Sequence, residues 1–304
     1  MPEDTSDFRS GFIAIVGEPN VGKSTLLNQI LNFKVSIVSP RPQTTRNRIA
    51  GIYSDETCQM VFIDTPGLHN SDLGLNHFMM QQAREAIVDA DILLYLRDAR
   101  YAQKSSEEEA FTLDFIKISS KPRILALNKI DMIEPSQLLP SLDRLSRTGL
   151  FEELMPISAL LGQGVPALLA QLRQRLPVGP RYFPEDQLTD VTERFIVSEI
   201  VREKIFLLTH QEVPYATAVH VEQFEEQEGS RLIRIQAVIH VEKDSQKAIV
   251  IGKGGTMLKQ VGEQARHELE ELFGKKVFLG LFVRVDKNWT RNPQIVKRLG
   301  VGRF

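Results

Sequence analysis

The stretch Gly17-Glu18-Pro19-Asn20-Val21-Gly22-Lys23-Ser24 restricts the fold of this chain more than any other. It fits the spacing G-x-x-x-x-G-K-[ST], and its flanks fit too. The apolar run Phe12–Val16 reads as a buried strand, and Thr25–Leu31 as the amphipathic helix that must follow. Such a loop works through its backbone. Its glycines let successive N–H groups turn inward around phosphate oxygens, and the positive end of the helix adds to the attraction. Lys23 would reach the terminal phosphates and the Ser24 hydroxyl would bind a magnesium ion, with Thr25 beside them.

From Gly11 to about Val178, short apolar runs alternate with longer amphipathic stretches. Met60–Ile63, Ile92–Leu96 and Ile124–Leu127 read as further buried strands, and Asn76–Val88 and Ser106–Ile118 have helical spacing. The pattern predicts an α/β domain built on a mostly parallel sheet. Polar motifs follow three of its strands. Asp64-Thr65-Pro66-Gly67 suits a magnesium-side aspartate and a glycine that senses a γ-phosphate. In Asn128-Lys129-Ile130-Asp131, the carboxylate can accept two N–H bonds from guanine, where adenine offers no matching donors. Asn128 and Lys129 would brace the phosphate loop and cover the base. Ser158-Ala159-Leu160, after the short strand Leu154–Ile157, would place a backbone N–H on the guanine carbonyl. Together these motifs predict a site for GTP and GDP.

The set resembles the translation-factor-related GTPases. The loop GEPNVGKS together with Pro42-Gln43-Thr44-Thr45-Arg46 resembles the Era family specifically. The resemblance implies that a threonine of the pair Thr44-Thr45 completes the magnesium shell, Thr45 being favoured and Thr44 the alternative. It also implies that Asn20, Lys23, Thr45 and Gly67 serve hydrolysis. The residue after Gly67 is Leu68, whereas small signalling GTPases place a water-orienting glutamine there. In related GTPases an asparagine at the position of Asn20 helps hold potassium beside the phosphates, so slow, potassium-stimulated hydrolysis is expected. Arg41, Arg46 and His69 are further loop candidates.

The sequence Pro177-Val178-Gly179-Pro180 cannot continue a helix and reads as the start of a linker over 179–190. Expected divisions are a tail over 1–8, a GTPase domain over 9–178, a second domain over 191–290 and a tail over 291–304. In the second domain a helix (about Thr192–Thr209) precedes strands Ala216–Gln223 and Arg231–Val241, a short helix, Gly252-Lys253-Gly254-Gly255, a longer helix and the strand Lys276–Val285. This is the order of a type II KH domain, an α+β fold, and the G-x-x-G loop between its helices resembles the KH clamp on a sugar–phosphate backbone. Candidate RNA contacts are Lys243, Lys247, Ile249, Ile251, Gly252, Lys253, Gly254, Gly255, Leu258 and Lys259.

The formal net charge of −2, from 37 Lys+Arg against 39 Asp+Glu, speaks at first against a nucleic-acid partner. Its distribution reverses that. Arg231–Phe304 carries 15 basic residues against 7 acidic ones, while Glu222, Glu225, Glu226 and Glu228 cluster just before it. Cys58 is the one cysteine, which excludes an intrachain disulfide and a multi-cysteine zinc site. No apolar run approaches the ~20 residues that span a bilayer, and the acidic, polar N-terminal stretch is unlike a signal peptide. The resemblance implies a cytoplasmic, monomeric GTP switch that binds 16S rRNA near its 3′ end and assists assembly and maturation of the small (30S) ribosomal subunit. Relatives also associate peripherally with the inner face of the cell membrane, for which this sequence offers no amphipathic anchor. A tRNA-modifying GTPase would need a C-terminal cysteine, which is missing. A signalling GTPase with a protein-binding second domain is disfavoured by the G-x-x-G helix pair.

Overall fold

The computed structural model describes residues 8–39, 44–68, 74–226, 229 and 231–299; Arg41 and His69 lie outside them. The chain divides into two compact units. The first takes residues up to Ser36, Thr45–Asp72 and His77–Asp190, and the second takes Ile37–Thr44, Leu73–Asn76 and everything from Val191 on.

In the first unit, strands β1 (Arg9–Val16), β2 (Ile49–Ser54), β3 (Cys58–Asp64), β4 (Ile92–Asp98), β5 (Arg123–Asn128) and β6 (Glu153–Pro156) form one sheet in the order β2-β3-β1-β4-β5-β6. All neighbours are parallel except β2, which runs antiparallel to β3. Helix α1 (Lys23–Leu31) leads from β1 toward β2, α2 (Gly74–Asp89), α3 (Glu107–Ile116) and α4 (Pro135–Ser146) connect the parallel strands β3 to β6 in turn, and α5 (Val165–Arg175) follows β6. Every residue of β3 and β4 is buried, as a sheet covered on both faces requires. Parallel strands bring their carboxyl ends to one side, which is where this architecture binds ligands.

The stretch 179–190 is bonded along this unit. The Ile52 N–H donates to the Leu188 carbonyl (2.8 Å), the Thr189 hydroxyl to the Ala50 carbonyl (2.7 Å), and the Tyr182 N–H to the Gln59 side chain (2.7 Å). The first two occupy a donor and an acceptor that the edge strand β2 would otherwise leave open. Cys58 is buried at the start of β3, and burial, with Asp55 beside it, pushes its thiol up to about 12. A thiol reagent at pH 8 is therefore expected to find no cysteine in the folded chain and one after denaturation. Rapid labelling of the native protein would contradict this packing.

The second unit holds α6 (Glu193–Leu208), β7 (Ala218–Glu226), β8 (Leu232–Val241), α7 (Asp244–Ile251), α8 (Thr256–Phe273) and β9 (Lys276–Val285). Its sheet order is β7-β8-β9, with β7–β8 antiparallel and β8–β9 parallel. Ile196, Val197, Ile200 and Val201 of α6 and Val261, Ala265 and Leu269 of α8 bury against the sheet residues Ile233, Ile235, Ala237 and Ile239. Also within this unit, Arg202 pairs with Glu199 at 2.7 Å and donates to the Thr44 carbonyl. Residues 291–299, read from sequence as part of a tail, include the helix α9 (Pro293–Arg298), capped by Asn292. Val296 and Leu299 bury with Trp289, whose indole N–H donates to the Ala216 carbonyl (2.8 Å). A large aromatic whose one polar group finds a partner is an effective anchor for a short terminal helix.

Candidate functional site

The loop from Gly17 to Gly22 links β1 to α1. Gly22 is left-handed (φ 101°), and a Cβ there would come within 2.3 Å of the Asn128 amide nitrogen. Gly67 is limited by space instead, since a Cβ would stand 2.9 Å from the Pro19 Cα. The Lys23 ammonium is buried and donates to the carbonyls of Gly17 (3.1 Å) and Glu18 (3.0 Å), at the mouth of the loop. Burial pushes its pKa down to about 8, against the pull of Asp64 and Glu18.

Three hard oxygen ligands converge beside Lys23. The Ser24 hydroxyl lies 2.8 Å from the Thr45 hydroxyl and donates to Asp64 Oδ2 (2.7 Å), which also accepts from Ser36 (3.0 Å). Asp64 Oδ1 is buried with no hydrogen-bond partner. Burial pushes this carboxyl upward, opposed by Lys23 and the surrounding hydroxyls. An orphaned carboxylate oxygen beside two hydroxyls is a donor set suited to magnesium. Leu68 is buried in the core, so its apolar side chain orients no water, and its backbone N–H donates to the Gly17 carbonyl (3.1 Å).

On the base side, Asn128 is buried and acts as a clamp. Its amide nitrogen donates to the Val21 carbonyl (2.7 Å) and its oxygen accepts from the Ala159 N–H (2.9 Å). It thus joins the phosphate loop to the Ser158-Ala159-Leu160 loop, itself held by the Ser158 hydroxyl accepting from the Leu161 N–H (3.1 Å). Lys129 is left-handed (φ 65°), donates to the Asn20 carbonyl (2.5 Å), and pairs with Asp98 at 2.8 Å. Asp131 follows with its side chain exposed. Asn20 is exposed and left-handed (φ 63°), Val21 is buried, and Thr25 lies in the first turn of α1.

Two supports of this site escape sequence reading. Asp98 ends β4 opposite Asn128, and it braces Lys129; burial alone would raise its carboxyl, but Arg100 and Lys129 hold it below the ordinary range. The other is a buried chain of charge. Glu18 accepts from Arg97 (2.9 Å) and the Tyr95 hydroxyl (2.8 Å), Arg97 also faces Glu109 (3.6 Å), and Arg144 holds Glu109 (2.6 Å). The phosphate loop is thereby tied to α3 and α4. Removing one partner of such a pair strands a buried charge, so Arg97→Met is expected to cost about 3–5 kcal/mol of stability. Adding Glu18→Gln should recover much of that loss in denaturant titrations. Unchanged stability of the single variant would refute the pairing.

In the second unit, Gly252 (φ 75°), Gly254 (φ 62°) and Gly255 (φ 81°) connect α7 to α8. A Cβ on Gly252 would strike Met257 at 2.7 Å, whereas Gly254 and Gly255 face open space, and only their left-handed backbone angles favour glycine. Lys243, Lys253 and Lys259 are exposed, Lys247 is half-buried, and Lys259 faces Glu263 at 3.8 Å. Ile249 is 45% exposed, Ile251 is half-buried and Leu258 packs against the core, so Ile249 presents the most free apolar surface of the three.

A family model described as a 50S ribosome-binding GTPase matches residues 12–129, and a KH-domain model matches 212–290. The GTPase Era of Syntrophus aciditrophicus is 51% identical over 96% of this chain and 95% of its own length. That of Lactobacillus delbrueckii subsp. bulgaricus is 45% identical over 97% of both. Among solved structures, a variant of Aquifex aeolicus Era bound to GDP and aluminium fluoride superposes with a TM-score of 0.93 at 38% identity, covering 97% of this chain and all of that one. Era in complex with MgGDPNP and nucleotides 1506–1542 of 16S ribosomal RNA matches with the same score, identity and coverage. With a phosphate loop, a guanine-type clamp and a G-x-x-G unit in one chain, and identities of this size over nearly its whole length, the chain belongs to the Era family of GTPases.

Proposed function

We propose that this chain binds and hydrolyses GTP to switch the grip of its KH unit on single-stranded RNA from the 3′ region of 16S rRNA, assisting assembly of the 30S subunit. The observation that carries the nucleotide half is the double hydrogen bond of Asn128, which ties the phosphate loop to the Ser158-Ala159-Leu160 loop. Asp131 would read the guanine edge and Lys129 would cover the base. Ser24, Thr45 and Asp64 would hold magnesium, which when bound supplies positive charge to the phosphates. Lys23 neutralises the terminal phosphates, and Gly67 brings its backbone close to the loop.

The RNA half rests on the G-x-x-G loop and on the Era relative solved with 16S nucleotides. Gly252–Gly255 would admit the sugar–phosphate backbone, Lys243, Lys247, Lys253 and Lys259 would supply charge, and Ile249, Ile251 and Leu258 would line the base side. The chain acts as a cytoplasmic monomer in this reading. Among the described residues, no helix is long and apolar enough to cross a membrane. Crosslinking in cells followed by sequencing of the bound RNA tests the target. Reads concentrated near the 16S 3′ end are expected, and enrichment of tRNA or of no RNA would overturn the reading.

Leu68 cannot orient the attacking water, so hydrolysis must draw on positive charge beside the phosphates, and Asn20 is the candidate holder of potassium. Turnover is expected to be about tenfold faster in potassium than in sodium, and Asn20→Ala should abolish the difference. Equal rates in the two salts would remove potassium from the mechanism.

A further inference from the structure

The KH unit covers one face of its sheet with α6 and α8, and the other face carries an unusual strand. Along β9, Val277, Leu279, Leu281, Val283 and Val285 turn toward the helices. Alternation therefore puts Lys276, Phe278, Gly280, Phe282 and Arg284 on the outer face. Phe278 is 51% exposed and Phe282 57% exposed. Arg234 of β8, paired in register with Phe278, lies over that ring at 5.8 Å. Gly280 stands between the two rings without a structural need. Its backbone is not left-handed, and a Cβ would meet its neighbours only at an ordinary 3.8–3.9 Å. A glycine inside a strand weakens it, and where the fold does not require one it marks a place where something approaches closely.

The face also carries cations and leads toward the G-x-x-G loop. β9 is an edge strand, and a cleft of about 570 Å³ at that edge is lined by Phe282 and Arg284 of the outer face and by Lys247 of α7, the helix that ends at Gly252. Arg234, Arg284 and Lys247 supply cations here beside Glu222, which pairs with Arg284 at 3.5 Å, Glu225, in register with Arg234, and Asp244, while Lys276 pairs with Glu270 of α8 at 3.5 Å. Rings about 13 Å apart by the strand rise, with bare backbone between them and cations around them, suit unpaired bases, whose faces stack on aromatics while cations meet the phosphates.

We propose that the outer face of this sheet is a second RNA contact, in which a strand leaving the G-x-x-G groove passes over the β9 edge and stacks unpaired bases on Phe278 and Phe282. The proposal rests on the RNA reading of Gly252–Gly255, and its test separates the two. Two unstructured RNAs are titrated with the full chain: one of about four nucleotides, enough for the groove alone, and one of about twelve. Phe278→Leu/Phe282→Leu keeps apolar bulk on an exposed face and should leave folding intact. It is expected to weaken the long RNA by roughly 10- to 100-fold and leave the short one unchanged. Phe278→Tyr/Phe282→Tyr should retain tight binding, because the stacking surface remains. Equal affinity of parent and leucine variant for the long RNA overturns the proposal, as does a change in oligomeric state without a change in RNA affinity. Gly254→Asp tests the groove separately: if it leaves both RNAs bound as tightly as the parent, the G-x-x-G reading itself fails.

Discussion

Asn128→Ala is expected to weaken GTP and GDP binding by about 100-fold or more while leaving RNA affinity measured without nucleotide in place. The side chain is buried and makes two hydrogen bonds to two different loops. Its loss leaves the Val21 carbonyl and the Ala159 N–H without partners, at about 1–3 kcal/mol each. It also frees the phosphate loop from the segment that meets the base, so binding has to pay for ordering both. Titration with a fluorescent GDP measures the loss. Unchanged nucleotide affinity would mean that the clamp is incidental to the site.

The complementary result is expected from Lys253→Asp/Gly254→Asp. RNA affinity should fall by about 100-fold or more, and the salt dependence of what remains should flatten by about one unit of slope. Two carboxylates would then stand where phosphates are to approach. Gly254 faces open space at φ 62°, a region that aspartate tolerates at a cost of about 1–2 kcal/mol. The KH unit should therefore stay folded and nucleotide binding should be unaffected. RNA binding at the parent level would show that the G-x-x-G loop is an ordinary helix connection.

The motif-bearing strands of the first unit were legible because each announces itself by a buried apolar run ending in a polar motif, as Ile124–Leu127 does before Asn128. Strand β2 was not. Ile49–Ser54 follows a stretch without periodicity, and its pairing with β3 depends on a hairpin around Asp55 rather than on a motif. Asp98 was missed for a different reason. Its bond to Lys129 exists because β4 lies beside β5 in the sheet, and strand order is a long-range property that a local pattern does not carry. The same holds for Glu18 and Arg97, far apart in sequence and ion-paired in the core. In the second unit the order of elements and the alternation along β9 were readable. That α9 would close on Trp289 was not, since six helical residues carry little signal by themselves.

The coupling of the two units is the central claim, and one measurement tests it most directly. The affinity of the full chain for a single-stranded RNA of the 16S 3′ sequence should be compared with a non-hydrolysable GTP analogue and with GDP. A ligand that orders the segments around Thr45 and Gly67 shifts RNA binding only through a difference in free energy between the two nucleotide states. The account predicts affinities that differ by about tenfold, the scale of typical coupling energies. Identical affinities in the two states would contradict it, and the chain would then be a GTPase and an RNA-binding protein joined without a switch.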